Sequence, residues 1–107
     1  MKAMISQPMG GKSEEEIAQV RVKALHELAE RGYSVPDTVF TDEWFHEQTD
    51  GSADFVVHRP LYFLAKSLEV MAYCSAVYFC KGWDEYRGCQ IEHEAAVAYG
   101  LEIIYEE

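Results

Sequence analysis

The chain has 107 residues, of which 49% are hydrophobic and 26% charged, so it can bury one core but has no room for a second domain. Its formal net charge is -10, and only nine residues are lysine or arginine. A nucleic-acid backbone and an anionic membrane both attract clustered cations, so this composition argues against a nucleic-acid polymer or a membrane as partner.

The cysteines Cys74, Cys80 and Cys89 are odd in number and lack CxxC spacing, which argues against a disulfide framework and a structural zinc site. The N-terminal apolar stretch is too short for a signal peptide, and no run approaches membrane-spanning length. These features predict a cytoplasmic protein without metal or cofactor. Because so short a domain buries a small share of its surface, we also expect a homo-oligomer.

In chain order, the apolar run from Ala3 to Ser6 predicts a buried strand, which ends at the turn Gln7-Pro8-Met9-Gly10-Gly11. Ser13, followed by three glutamates, predicts the N-cap of a helix. This helix is expected to end near Arg31-Gly32, where glycine suits a left-handed C-cap.

Tyr33 to Val35 predicts a short second strand, closed by Pro36. Residues 37–59 lack sustained periodicity and predict a long loop with one helical turn around residues 42–48. Pro60 predicts the start of a helix that continues to about residue 72, since proline fits the first turn. The nearly continuous apolar run from Ser75 to Cys80 is typical of a central strand covered on both faces.

A loop over residues 81–88, a helix from about Cys89 to Tyr99 and a last strand from Leu101 to Tyr105 complete the pattern. The alternation of strands and helices predicts one α/β domain over residues 1–107, with a parallel sheet. We expect a three-layer flavodoxin-like or Rossmann-like fold with about four strands in the order 2-1-3-4. Ligands of such sheets bind beyond the carboxyl ends of the strands, so the loops at 7–11 and 82–88 are expected to meet there.

Glu92 is the first candidate for chemistry, because the pattern places it in the first turn of the last helix, after a glycine-containing loop. An ionised, oriented carboxylate there can attack an anomeric carbon or stabilise the positive charge that grows on it. The alternative is simpler: glutamate in a first helical turn is favourable through the helix dipole alone.

Other candidates each have a structural alternative. The first loop could contact ribose or phosphate, or be an ordinary turn. Trp83 could stack on a base or pack against the long loop, and Arg87 could hold an anion or pair with Asp84 or Glu85. The candidate substrate-binding residues are Ser6, Gln7, Pro8, Met9, Gly10, Gly82, Trp83, Arg87 and Gly88.

Two segments carry a resemblance to a known family. Met4-Ile5-Ser6-Gln7-Pro8-Met9-Gly10-Gly11 looks like the start of small nucleoside 2-deoxyribosyltransferase-like proteins of bacteria and phages. The segment from Gly82-Trp83 through Arg87-Gly88 and Glu92 to Tyr105 looks like their "GW…RGA…E…A…G…VIY" ending. The resemblance covers most of the chain except roughly residues 37–59.

The resemblance implies that Glu92 matches the glutamate that attacks or stabilises the anomeric carbon of a 2-deoxynucleoside, and that residues 4–11 help to seat sugar and base. Relatives often carry serine or aspartate where this chain has Tyr86, and active relatives carry an aspartate where it has Ser67. The family's enzymes complete their sites across subunits, which again predicts a homo-oligomer. The resulting hypothesis is N-glycosidic transfer or hydrolysis on a nucleoside or nucleotide. The alternatives are a non-catalytic nucleotide-binding module and an interaction protein on the same fold.

Overall fold

The computed structural model describes residues 1–36, 45, 47, 49 and 55–107 of the chain. Within them the elements are strand β1 (Ala3–Ser6), helix α1 (Glu14–Glu30), helix α2 (Arg59–Met71), strand β2 (Ala76–Phe79), a 3-10 helix (Trp83–Glu85), helix α3 (Arg87–Ala98) and strand β3 (Glu102–Tyr105). The predicted α/β class is confirmed. The loop predicted over residues 37–59 lies largely outside the described residues, although Phe45, Glu47 and Thr49 are helical.

The three strands form a parallel sheet in the order β1-β2-β3. β1 and β2 are neighbours, with Ala3 opposite Ala76 and Ser6 opposite Phe79. The fourth strand is not confirmed, because the segment predicted as a strand at Tyr33 to Val35 makes only one parallel bridge, between Lys2 and Ser34. Three residues closed by Pro36 are too few to extend a ladder, since proline has no N–H to donate.

Alternation along β1 divides its side chains between the two faces of the sheet. Ala3 and Ile5 belong to a core that includes Leu28 of α1 and Tyr78 of β2. Met4 faces the other way, into a second core whose members are Met71, Val77, Phe79 and Ala96. Helices therefore cover both faces, with α1 on one side and α2 and α3 on the other. Ser6, two residues after Met4, also faces α2 and α3.

The ends of α1 follow the sequence signals. The Ser13 hydroxyl accepts a hydrogen bond from the Glu16 N–H at 3.1 Å, so the predicted N-cap is confirmed. At the other end Gly32 has a φ of 84°, a left-handed conformation that suits glycine. The N–H of Tyr33 then bonds the carbonyl of Leu28, which satisfies a terminal carbonyl of the helix.

Helix α3 begins at Arg87, earlier than the predicted start at Cys89. Glu92 consequently lies in the second turn, and the first turn contains no acidic residue. The expectation of a first-turn glutamate was therefore wrong. Because the dipole effect fades within the first turn, it gives little reason for an acid at this position.

No helix among the described residues combines the length and the apolar character that crossing a bilayer requires. Cys74, Cys80 and Cys89 are all free thiols.

Candidate active site

A cavity of about 410 Å³ lies beyond the carboxyl end of β1, between the loop that follows this strand and the helices α2 and α3. Its volume falls in the range of roughly 300–1,000 Å³ that is typical of small-molecule sites. The described residues that line it are Met4, Ile5, Gln7, Pro8, Met9, Gly10, Pro60, Phe63, Leu64, Ser67, Tyr86, Gly88, Cys89 and Glu92. Among these described residues most are apolar, and Glu92 is the one carboxylate.

Glu92 is the most unusual residue of the wall, because its side chain is a buried acid, only 8% exposed. The Ser6 hydroxyl donates a hydrogen bond to Glu92 Oε1 at 3.0 Å. Burial raises the pKa of Glu92 to about 7, although hydrogen bonding from Ser6 and Ser67 acts in the opposite direction. A carboxyl group with this pKa is near the midpoint of its titration at neutral pH, which suits a group that takes part in chemistry.

Ser6, Ser67 and Cys89 surround Glu92 from three elements. Ser6 ends β1, Ser67 lies on α2, and Cys89 lies on α3 three residues before Glu92. Burial raises the pKa of the Cys89 thiol, and hydrogen bonding with Ser6 opposes this shift. The thiol is therefore neutral at physiological pH and a poor nucleophile, so the carboxylate is the reactive group of this cluster.

Gln7 fixes the loop that follows β1. Its Nε2 donates a hydrogen bond to the Ile17 carbonyl of α1 at 2.7 Å. Its buried Oε1 has no hydrogen-bond partner among the residues that the structure describes. The bond to Ile17 orients this amide, and Gln7 itself lines the cavity. An unpaired buried acceptor costs free energy, and such costs are more often accepted at functional sites than elsewhere.

A hydrogen bond joins the two loops at the open side of the cavity. The Tyr86 hydroxyl donates to the Gly10 carbonyl at 2.7 Å. A Cβ added to Gly10 would lie 3.4 Å from Cε2 of the Tyr86 ring, so the ring packs closely against this glycine. Both residues line the cavity. The predicted meeting of the loops at 7–11 and 82–88 therefore occurs.

The cavity brings together a large part of the candidate residues named from the sequence. Ser6 contacts the cavity through its hydrogen bond to Glu92. The candidates that line the cavity directly are Gln7, Pro8, Met9, Gly10, Gly88 and Glu92. Gly82, Trp83 and Arg87 are not among the described lining residues. Gly82 has a φ of 88° and lies next to Pro8, and Arg87 is the exposed first residue of α3.

Trp83, for which stacking on a base and packing against the long loop were both open, lies in an aromatic cluster outside the described lining. Its ring stacks on His93 with centroids 4.1 Å apart and planes 19° apart. Phe79 and Tyr105 lie against the same indole. The apolar ring gains more from this cluster on α3 and the ends of β2 and β3 than from an open cleft, so its role here is packing.

Of the wall that α2 contributes, sequence reasoning had named only Ser67, through the family resemblance, and not the apolar residues around it. The lining residues of α2 form one stripe on the helix, because they follow the spacing i, i+3, i+4, i+7. They are Pro60, Phe63, Leu64 and Ser67. The signal was present, since a serine within an apolar stripe is a polar group placed toward the interior. Cys89, which was not among the candidate site residues, also lines the cavity.

Among the described residues, no group of three or more histidines, cysteines, aspartates or glutamates is arranged to hold a metal ion. No protein-family model matches the chain, and searches of curated proteins and of solved structures find no similar protein.

Proposed function

We propose that this protein binds a nucleoside or nucleotide in the Glu92 cavity and acts on its N-glycosidic bond, as a 2-deoxyribosyltransferase or a nucleoside hydrolase. The observation that carries this proposal is a buried carboxylate at the wall of an apolar cavity of about 410 Å³. The resemblance of residues 4–11 and 82–105 to nucleoside 2-deoxyribosyltransferase-like proteins supports the choice of substrate.

In the proposed reaction the ionised Glu92 attacks the anomeric carbon. A bond forms between its Oε and C1′ while the C1′–N bond breaks, and the base leaves with the bonding electron pair and takes a proton from water, which leaves a hydroxide. Water or a second base then attacks C1′ and loses its proton to that hydroxide, while the C1′–Oε bond breaks and releases Glu92 as a carboxylate. The Ser6 hydroxyl holds Glu92 in one orientation through both steps.

The parallel sheet is consistent with this assignment, and the edge of the sheet beside β1 has room for a further strand. We infer that the bridge between Lys2 and Ser34 marks the position of an edge strand, which would complete a flavodoxin-like order around β1. The cavity would then lie where the strand order reverses, as ligand sites of such folds do. We also retain the homo-oligomer as part of the proposal, since the family that the sequence resembles completes its sites across subunits.

A second candidate is a binding module without catalysis. It is favoured by the single carboxylate in the described wall, because glycosidases commonly use two acids and Ser67 supplies only a hydroxyl. The two candidates differ in one measurable respect, since only an enzyme releases free base.

The test is base release from a panel of 2′-deoxynucleosides and their 5′-monophosphates, with and without a second base as acceptor. Glu92→Gln should reduce release by at least about a thousandfold, because it removes the nucleophile while keeping the shape of the side chain. Glu94→Gln is the matched control: the same change on the same helix, at an exposed position.

The dependence on pH separates a nucleophile from a general acid. A nucleophile must be ionised, so release should increase as the pH rises through about 7, the pKa of Glu92. A decrease over the same range would assign Glu92 the role of an acid. Binding without release from any substrate would favour the binding module.

A further inference from the structure

The Glu92 carboxylate lines the cavity without a cation beside it. The described lining residues include no lysine, arginine or histidine. The arginines that flank the wall in sequence are placed elsewhere: Arg87 is exposed outside the wall, and the Arg59 guanidinium carbon lies 4.4 Å from the centre of the Phe45 ring. When Glu92 ionises, it is therefore a buried charge with no compensating charge in the described wall.

The pKa of Glu92 reports the cost of this charge. Burial raises the pKa to about 7, and hydrogen bonds from two neutral hydroxyls, those of Ser6 and Ser67, oppose the shift without reversing it. The other titratable side chains of the described wall are the Cys89 thiol and the Tyr86 phenol, which carry no positive charge in either protonation state. A cationic ligand would supply the missing partner, because opposite charges attract strongly where the medium screens poorly.

The rest of the described wall suits a flat ring that carries a delocalised positive charge. Phe63 and Tyr86 are its aromatic members. Aromatic faces attract cations, and the attraction increases when the cation has lost its water. A compact ammonium group is strongly hydrated and would give up that hydration in an apolar cavity, whereas a heterocyclic cation spreads its charge over the ring. The formal net charge of -10 also attracts cations over a longer range.

The chemistry of the proposed reaction favours the same class of ligand. A neutral base that leaves with the bonding electron pair must take a proton. Glu92 is the one carboxylate of the described lining, and it cannot be nucleophile and proton donor in the same step. A base that is already a cation, such as a pyridinium or an N-alkylated purine, becomes neutral when the C1′–N bond breaks and needs no proton.

We propose that the ligand of the cavity is an N-glycoside whose base is a cationic aromatic heterocycle, and that the Glu92 carboxylate selects it by charge. This inference rests on the proposed function and narrows its substrate. In the reaction Oε of Glu92 forms a bond with C1′, the C1′–N bond breaks, and its electron pair moves to the ring nitrogen, which loses its positive charge. Water then attacks C1′ and gives one proton to the solvent, while the C1′–Oε bond breaks and releases the carboxylate.

The positive charge stays close to Glu92 along this path. As the C1′–N bond breaks, the charge passes from the base to the anomeric carbon, where a carboxylate stabilises it. The group that binds the ligand is therefore also the group that stabilises the transition state.

The first test measures binding to the full chain with two uncleavable ligands of matched shape. One is the carbocyclic analogue of 1-(2-deoxyribosyl)nicotinamide, a cation, and the other is the same molecule with carbon in place of the ring nitrogen, which removes the charge. At pH 8 Glu92 is mostly ionised. Calorimetry at this pH should show that the cation binds at least about tenfold more tightly, which corresponds to about 1.4 kcal/mol.

Variants then identify the origin of the preference. Glu92→Gln should abolish it, whereas Glu94→Gln, the same change at an exposed position of the same helix, should leave it intact. Equal affinities of the parent protein for the two ligands, or a preference that survives Glu92→Gln, would overturn the inference.

A second measurement needs no variant, because the cation binds the ionised form of Glu92. At pH 6 this carboxyl is mostly protonated, so calorimetry in two buffers of different ionisation enthalpy should show about one proton released per cation bound. The release should be small at pH 8 and absent with the uncharged ligand. Binding of the cation at pH 6 without proton release would mean that it does not pair with Glu92, which would also overturn the inference.

Base release separates this inference from the proposed function. The specificity constant for 1-(2-deoxyribosyl)nicotinamide should exceed those for neutral 2′-deoxynucleosides by at least about tenfold. Release from neutral nucleosides without any preference for the cation would overturn the inference and leave the proposed chemistry standing. Cation binding that depends on Glu92, with no release from any substrate, would overturn the proposed chemistry and support the selection by charge. Neither binding nor release would end both.

Discussion

The cavity at Glu92 and a groove at the opposite ends of α2 and α3 have similar volumes, about 410 and about 420 Å³. The groove lies at the amino ends of β2 and β3, and the residues that line it are Leu68, Met71, Ala72, Cys74, Ala95, Tyr99 and Leu101. These described residues are apolar apart from a thiol and a phenol, and none of them is a carboxylate.

The two regions differ in the polar side chains that the two ends of the strands place beside them. At the carboxyl ends, polar groups that can orient a ligand come from the end of β1 (Ser6), the loop after it (Gln7) and the second turn of α3 (Glu92). At the amino ends the helices meet through apolar side chains, which can hold a ligand but cannot orient it. Volume alone therefore does not identify the site. The Glu92 cavity also reduces stability, because a carboxyl group is buried there.

The largest expected effect concerns the stability that the protein loses by burying the Glu92 carboxyl group. The pKa of Glu92 is about 7 in the folded state and about 4.5 without the fold, so the folded state binds the proton more tightly. The stabilising effect of the proton is complete below pH 4.5 and is lost between pH 4.5 and pH 7. The difference in unfolding free energy between Glu92→Gln and the parent protein should therefore change with pH. At pH 8 it should favour the variant by roughly 3 kcal/mol more than at pH 4.

Denaturant unfolding across this range of pH measures the effect, and Glu94→Gln, at an exposed position, is the control. The free energy of unfolding of this control should stay within about 0.5 kcal/mol of that of the parent protein at every pH. A Glu92→Gln difference that does not change with pH would mean that Glu92 is not a buried acid and would remove the contrast between cavity and groove.

The next effect compares two leucines on α2. Leu64 lines the cavity and Leu68 lines the groove, one helical turn away. Leu64→Trp should weaken nucleoside binding at least about tenfold by filling the cavity, or about 1.4 kcal/mol, and Leu68→Trp should leave the affinity unchanged. Calorimetry on variants with intact circular dichroism spectra measures this. The opposite result would identify the groove as the ligand site.

The smallest effect concerns the hydrogen bond at the open side of the cavity. Tyr86→Phe removes the hydroxyl that donates to Gly10 and should cost about 0.5–1.5 kcal/mol of unfolding free energy. Tyr99→Phe, at a groove residue that is 85% exposed, should cost almost nothing. Equal losses in the two variants would show that the bond to Gly10 contributes no stability.

The sequence predicted the site in an uneven way. The turn after β1 was recognised because strand and turn signals place it at the carboxyl end of the sheet. Glu92 was preferred over its simpler helix-dipole interpretation because of the family resemblance. The sequence left two interpretations of Trp83 open, stacking on a base and packing against the long loop, because an indole suits both. In the structure the Trp83 ring packs on His93 of α3 and Tyr105 of β3, which come together only when these elements have packed.

The sequence alone determined the α/β class, the core strands and the caps of α1, since these depend on local periodicity and on hydrogen bonds between near neighbours. The tertiary structure decided the number of strands, the stripe of α2 that faces the cavity, and the environment of Glu92. The reason is physical: the contact between Ser6 and Glu92 joins residues 86 positions apart, and the burial that raises the pKa of this acid comes from side chains on three separate elements. No local pattern encodes such a combination, because it exists only once β1, α2 and α3 have packed.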